Sequence, residues 1–216
     1  MDNELNQLKG EIVKYASLVE SMITKSVNGL VNKSSGYLEE VINEDEEFAN
    51  KKEILIDEEC IAILAKYSPK ALALRTILMI MKMNNDLERM ADHCVNICRS
   101  AKELIQMPTF NDFDDIRKMS AIVKEMLMMS TEAFINNNKQ MSLDICEIDS
   151  QVNHYRDIII QEYTELMIKD STIVRYSTQI MSVARDLERI ADLTTNIAED
   201  IIFMIEGKVI KHGADM

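Results

Sequence analysis

The sequence is poor in the residues that end helices and form turns. Only 5 glycines and 2 prolines occur in 216 residues, and tryptophan is absent. A chain with so few turn residues is most simply built from a few long helices, because each turn needs a residue that tolerates it. Hydrophobic residues make up 47% of the chain, which suits a packed core and excludes an intrinsically disordered protein.

Long apolar runs and an excess of basic charge are also missing. No run approaches the roughly 20 apolar residues that span a bilayer, and the N-terminal segment MDNELNQLKG lacks the pattern of a signal peptide. The formal charge of −13 argues against nucleic acid, whose phosphates require Lys and Arg. The four cysteines lie in helical patterns without disulfide-like spacing, so we expect reduced thiols in a cytoplasmic protein.

Hydrophobic periodicity predicts six helices. They cover residues 4–28, 37–67, 70–105, 114–136, 142–169 and 172–206. The second ends before Pro69, because a proline disfavours the helical conformation of the residue before it. The segment QMPTFNDFD separates the third from the fourth. We therefore predict an all-α fold of two tandem three-helix bundles with antiparallel helices, at residues 1–107 and 108–216.

A repeated heptapeptide relates the two bundles. DLERMAD at residues 86–92 returns as DLERIAD at residues 186–192, with six of seven positions identical. EEFAN at residues 46–50 likewise resembles DSQVN at residues 149–153, with an acid and an asparagine four positions apart in both. Such self-similarity indicates a duplicated unit, so we expect the bundles to form an internal pseudo-twofold repeat.

Each half therefore carries two polar pairs with helical spacing on neighbouring helices. They are Glu88 with Asp92, Glu46 with Asn50, Glu188 with Asp192, and Asp149 with Asn153. Residues four apart differ by about 40° around a helix, so each pair shares one face, opposite the apolar stripe. Further polar residues extend these acidic stripes, namely Glu53, Asp57, Asn96 and Asn196.

The acidic stripes have three interpretations. Most such stripes are solvated surface, and Arg89 and Arg189 inside the heptapeptides could hold the carboxylates by structural ion pairing. The third interpretation is metal binding, because oxygen ligands suit Mg²⁺, Mn²⁺ or Ca²⁺ and carboxylates also bind iron. Retention of both heptapeptides while the rest of the halves diverged favours a function, so divalent or iron-type metal ions are the candidate ligands.

Motifs of catalysis are absent. Di-iron helical bundles use Glu-x-x-His, whereas Met90, Gln151 and Val209 stand three positions before the three histidines. There is also no glycine-rich phosphate loop, nucleophile elbow or zinc-protease motif. We therefore expect a protein that is not an enzyme, with a metal-dependent helical-bundle enzyme as the alternative class.

Tandem three-helix repeats that each end in DLER-x-(G/A)-D, followed by Asn-Ile, resemble the PhoU family of phosphate-transport regulators. The resemblance is close over residues 53–101 and 181–207 and covers nearly the whole chain. It implies a cytoplasmic, non-enzymatic negative regulator of phosphate uptake and of the phosphate-starvation (Pho) regulon. Family members are thought to contact the ATPase subunit of the phosphate ABC transporter and the membrane sensor histidine kinase, and they commonly form homodimers.

The resemblance also implies metal sites, because some members bind clusters of iron or other metals through E(D)-x-x-x-D motifs. Those motifs fall on the polar pairs described above. The sequence departs from the family at Ala91 and Ala191, where many relatives have glycine. Arg156 and Ile160 stand where the first half has Glu53 and Asp57, so we expect unequal sites, with the first half more acidic. A PhoU-like accessory protein of another phosphate transporter is the remaining alternative.

Overall fold

The structure, a computed structural model, describes residues 1–108 and 113–207, and this part of the chain contains helices and no strands. The helices are α1 Asp2–Val31, α2 Ser35–Glu40, α3 Glu46–Tyr67, α4 Ala71–Leu104, α5 Asp114–Asn136, α6 Lys139–Lys169 and α7 Val174–Glu206. A π-helical turn joins α2 to α3 without a break, so the predicted all-α fold of six long helices is confirmed. None of the helices described is both long and apolar enough to cross a membrane.

Left-handed residues end several helices. Ser68, with φ of 45°, follows α3 directly before Pro69, and Asn137, with φ of 49°, follows α5. Asparagine tolerates this conformation because its short side chain can bond locally. The side-chain oxygen of Asn138 then accepts a hydrogen bond from the backbone N–H of Met141 at 3.2 Å. This N-cap starts α6 three residues before the predicted position at residue 142.

Each half closes around its own three helices, and the halves also pack together. Helix α1 packs on α3 and α4, and α5 packs on α6 and α7, while the contact between α4 and α7 is the most extensive among the described helices. Buried apolar side chains from both halves belong to one continuous core. Burying each large aliphatic side chain contributes roughly 1.5–3 kcal/mol, so the core holds all six long helices in place. The boundary predicted between residues 107 and 108 lies next to residues 109–112, which are outside the described residues.

Helices α4 and α7 pack against each other, and we refer to their line of contact as the seam. Both heptapeptides lie on it. Nδ1 of His93 donates a hydrogen bond to Asp186 across the seam at 2.9 Å, and Nζ of Lys82 lies 2.5 Å from Oδ1 of Asp200. These polar contacts join α4 and α7 across the seam.

Candidate functional site

Helices α3 and α4 bring four carboxylates together in the first half. This first-half cluster consists of Glu53 and Asp57 on α3 and Glu88 and Asp92 on α4. The buried residues Ile56 and Cys60 hold the opposite face of α3 in the core, which leaves Glu53 and Asp57 on the flank beside α4. The side-chain nitrogen of Asn84 on α4 donates to the carbonyl of Glu53 at 2.9 Å and to Oδ1 of Asp57 at 3.0 Å.

The carboxylates of the first-half cluster repel one another. Burial raises the pKa of Glu88, and the charges of Asp92 and Glu53 raise it further. Burial, then Asp57 and Asp92, likewise raise the pKa of Glu53. Among the described residues none of the four carboxylates makes an ion pair, and Arg89 pairs instead with Asp86 at 3.5 Å. Among the described residues, the structure therefore does not show the predicted ion pairing of Arg89 with the carboxylates of this cluster.

Two buried oxygen atoms border the first-half cluster without a partner. Tyr15 is 0% and Asn84 is 1% exposed, and within the described chain neither the Tyr15 hydroxyl nor Oδ1 of Asn84 has a hydrogen-bond partner. Burial raises the pKa of Tyr15, and the charges of Glu53, Glu88 and Asp92 raise it further, so the hydroxyl lies on the inner side of the cluster. The cluster thus presents oxygen ligands only, which is the donor set that hard cations prefer.

The corresponding residues of the second half form a bonded network. This second-half cluster consists of Asp149 and Asn153 on α6 and Glu188 and Asp192 on α7. Nη1 of Arg156 donates to Glu188 at 2.7 Å and to Oδ1 of Asn153 at 2.8 Å. Asn153 in turn donates to Oδ2 of Asp149 at 2.7 Å. Arg189 donates to Asp192 at 3.1 Å, whereas Oδ1 of Asp149 is buried and has no hydrogen-bond partner within the described residues. Burial, and then the charges of Asp192 and Glu188, raise the pKa of Asp149.

The other predicted site residues lie at the margins. Glu46 is half-buried and Asn50 is exposed, on the first turns of α3. Asn96 accepts a hydrogen bond from Arg99 at 3.4 Å. Asn196 lies at the seam, where it lines a groove of about 340 Å³ with Arg89 and other residues. Among the residues described, no three His, Cys, Asp or Glu side chains are placed so that they could hold a metal ion, and this includes the first-half cluster.

The first acid of each heptapeptide also differs between the halves. Asp86 is 8% exposed, and burial raises its pKa to about 6, against a partial offset from Arg89. The matching Asp186 accepts the hydrogen bond of His93. The same position of the repeat therefore holds a buried carboxyl with a raised pKa in the first half and a hydrogen-bonded carboxylate in the second.

Sequence reasoning missed Tyr15, Asn84 and the bonding of Arg156. A signal for Asn84 was present, because it precedes Glu88 by four residues and so shares its helical face. Tyr15 lies within the regular apolar pattern of α1, and only the packing of α1 beneath α3 and α4 brings it to the cluster. Arg156 was noted as a departure from the first half, but its partners depend on the crossing of α6 and α7.

The chain is similar to known sequences along nearly its whole length. A family model described as PhoU domain matches residues 1–101 and 116–201. Over 209 residues the chain is 34% identical to the phosphate-specific transport system accessory protein PhoU homolog of Aquifex aeolicus (strain VF5), covering 97% of this chain and 94% of that protein. It is 30% identical over 210 residues to the corresponding Pseudomonas aeruginosa homolog, covering 97% of this chain and 86% of that protein.

Solved structures share the fold. The crystal structure of PhoU from Pseudomonas aeruginosa superposes with a TM-score of 0.91 at 29% identity, covering 96% of this chain and 99% of that chain. The crystal structure of the phosphate transport system regulatory protein PhoU from Streptococcus pneumoniae superposes with a TM-score of 0.90 at 26% identity, covering 98% of this chain and 99% of that chain.

Proposed function

Because this chain belongs to the PhoU family, we propose that it is a cytoplasmic negative regulator of phosphate uptake and of the Pho regulon. The comparisons support the general role of an accessory protein in a phosphate transport system. The finer role is that of a relay. The protein binds the ATPase subunit of the phosphate ABC transporter and the membrane sensor histidine kinase, and it keeps the kinase in its repressing mode when phosphate is plentiful.

The observation that carries this proposal is the end-to-end match to PhoU sequences and folds, with both heptapeptides at the seam. A relay of this kind works through surfaces and not through catalysis. Two rigid bundles with a strong excess of negative charge offer such surfaces, because complementary charge guides docking and selects partners. The proposal includes a homodimer, which sedimentation velocity would test directly.

The proposal also includes cations at the first-half cluster. Its four carboxylates lack ion pairs within the described residues, and the unpartnered oxygens of Tyr15 and Asn84 border them. A hard divalent or iron-type cation would relieve the repulsion between the carboxylates, and its charge would strengthen the docking surface or alter its shape. Affinity should fall at low pH, since the carboxylates must lose their protons to bind a metal.

Genetics tests the regulatory role. Deletion of the gene should leave a phosphate-starvation reporter switched on in high phosphate, and the wild-type gene should restore repression. A deletion strain that still represses the reporter in high phosphate would contradict the proposal.

A pull-down tests the partner and the role of cations. Purified protein should retain the ATPase subunit of the transporter, and a chelator or the double variant E88Q/D92N should weaken that retention. Glu125→Gln is the matched control, because Glu125 is an exposed acid on α5, outside both clusters. Equal retention by E88Q/D92N and by the wild type would remove the cluster from the docking mechanism.

A further inference from the structure

We propose that the outward side of α3 is the surface through which two copies of this chain associate, with their α3 helices antiparallel. This inference rests on the homodimer proposed above and assigns its interface to a particular helix. The outer face of α3 consists of six side chains that are all exposed in the single chain, namely Phe48, Lys51, Ile54, Leu55, Glu58 and Ile61.

The outer face of α3 is largely apolar although it points away from the core. Its four large apolar side chains are each more than half exposed, and they are Phe48, Ile54, Leu55 and Ile61. The buried residues Ile56 and Cys60 hold the opposite side of α3 against the core. At about 100° per residue, the outer face falls within roughly 140° of the helix circumference. A surface helix is ordinarily polar on this side, and a contiguous exposed apolar patch marks an interaction site.

The second repeat shows that the fold does not require this apolar face. With residues 46–50 aligned on residues 149–153, α6 has polar and exposed residues where α3 has Phe48, Ile54 and Ile61, and these are Gln151, Asp157 and Thr164. Leu55 is matched by Ile158, which is half-buried. Helix α6 therefore takes the same place in its bundle with a polar outward side, so the apolar side chains of α3 serve something other than the packing of the bundle.

The charges of the outer face select a second copy of the chain in one orientation. Lys51 and Glu58 lie at equal distances along the helix from the midpoint between Ile54 and Leu55. In an antiparallel pair with its twofold axis at that midpoint, Lys51 of each copy lies level with Glu58 of the other, and the apolar residues meet at the centre. A parallel pair would instead bring Lys51 against Lys51 and Glu58 against Glu58. Complementary charge therefore favours the antiparallel pair.

Both charged residues are available to a second copy. In the single chain Lys51 pairs with Glu47, one turn earlier on α3, and both side chains are more than half exposed. An exposed pair of this kind contributes little to stability, so Lys51 can exchange it for a partner across the interface. Glu58 has no ion pair within the described residues.

Sedimentation velocity of the full chain over a range of concentrations tests this inference. The wild type should form a dimer, and Ile54→Glu should weaken the association at least tenfold, because it places a charge at the centre of an apolar interface. Ile135→Glu on α5 is the matched control, since Ile135 is 53% exposed and Ile54 is 57% exposed, and it should leave the dissociation constant unchanged. Circular dichroism should show that both variants fold, because both positions are exposed in the single chain.

Charge exchange tests the antiparallel orientation. Lys51→Glu and Glu58→Lys should each weaken the dimer, because each places like charges level with one another across the interface. The double variant K51E/E58K should recover the association of the wild type, and an equimolar mixture of the two single variants should associate more strongly than either alone. A double variant no tighter than the single ones would contradict the antiparallel arrangement.

The outcomes separate this inference from the function proposed above. A dimer that Ile54→Glu leaves intact would overturn the inference, while the homodimer itself would stand on another surface. An I54E variant that still dimerises but no longer retains the ATPase subunit in the pull-down would also overturn it, because the outer face of α3 would then bind that partner. A monomeric wild type would end both the homodimer and this inference, whereas the deletion strain still tests the regulatory role.

Discussion

Glu53 and Arg156 stand at the same position of the two repeats, and the surroundings of each follow from its charge. Around Glu53, burial and then the charges of neighbouring carboxylates raise the pKa of Glu53 and of Glu88. Around Arg156 the acids and amides of α6 and α7 are joined by hydrogen bonds of 2.7–2.8 Å. The difference in charge at this repeat position therefore adds a cation that bonds to Glu188 and Asn153, although Oδ1 of Asp149 is left without a partner within the described residues.

The seam shows the same divergence on a smaller scale. Asp86 and Asp186 open the two heptapeptides, yet only Asp186 has a hydrogen-bonding partner across the seam, at position 93 of α4. The residue that corresponds to His93 in the second half is Leu193, which cannot bond to Asp86. A duplicated fold thus keeps its backbone while each copy acquires its own electrostatics.

The largest loss of stability is expected when Arg156 is replaced. Arg156→Met keeps much of the apolar stem but leaves Glu188 shielded from water without its partner. Breaking a buried pair costs about 3–5 kcal/mol, and the partial exposure of Arg156 lowers our expectation to roughly 3 kcal/mol of the free energy of unfolding. Urea denaturation followed by circular dichroism at pH 7 measures it. Arg117→Met, which breaks an exposed pair, should change stability by less than about 0.5 kcal/mol, and an equal loss in both variants would contradict the prediction.

Replacing Asp86 should instead raise the free energy of unfolding. Its pKa is about 6 in the folded protein against an ordinary value of 3.8, so folding favours the protonated carboxyl. Stability therefore falls as the pH rises from 3.8 to 6, and the cost is complete above that range. Asp86→Asn removes the charge and should stabilise the protein by up to roughly 3 kcal/mol at pH 7, since the pKa rises from 3.8 to about 6 and one pKa unit corresponds to about 1.4 kcal/mol.

The pH dependence is the decisive part of that measurement. The gain from Asp86→Asn should be nearly constant from pH 7 to about 6 and should then shrink as the pH falls toward 3.8, because the wild-type carboxyl becomes protonated in the folded protein. Asp186→Asn is the matched variant at the same repeat position, and it should give no gain, because it weakens the bond to His93. A gain that is independent of pH would show that burial of charge at Asp86 is not the cause.

Tyr15 connects stability to the candidate site. A buried hydroxyl without a partner costs about 1–3 kcal/mol, so Tyr15→Phe should stabilise the cation-free protein by about 1 kcal/mol. The same variant should weaken Mn²⁺ binding, because one oxygen of the cluster is lost. Tyr37→Phe is the control, since the side chain is 44% exposed, and it should change neither quantity. Destabilisation by Tyr15→Phe would mean that the hydroxyl already has a favourable contact.

Periodicity was sufficient to predict the helices and the faces of their acids, because both depend on local geometry. The bounds of α5 coincide with the predicted ones, and Glu88 and Asp92 share a helical face as expected. The π-helical turn Val41–Asp45 was not predictable, since it depends on tertiary contacts. There the buried Asp45 accepts from Lys25 of α1 at 2.8 Å, an interaction between residues twenty positions apart.

The candidate site was predictable only in part for the same reason. Spacing groups residues on one helix, and so it found the acidic pairs. It carries no information on which residue of a neighbouring helix lies beneath them, and so it missed Tyr15. It identified Arg156 as a difference between the repeats, but the bonds of Arg156 to Asn153 and Glu188 require the distance between α6 and α7.

The smallest expected effect is also the closest test of the contrast between the halves. Glu53→Gln removes one of four mutually repelling carboxylates and should stabilise the cation-free protein by about 0.5 kcal/mol at pH 7. The folded pKa of Glu53 is raised, so this gain should vanish as the pH falls below its ordinary value of 4.5. Arg156→Gln, the same new residue at the same repeat position, should instead destabilise the protein. If both variants shift the urea midpoint in the same direction, the two clusters do not differ in the way that their charges indicate.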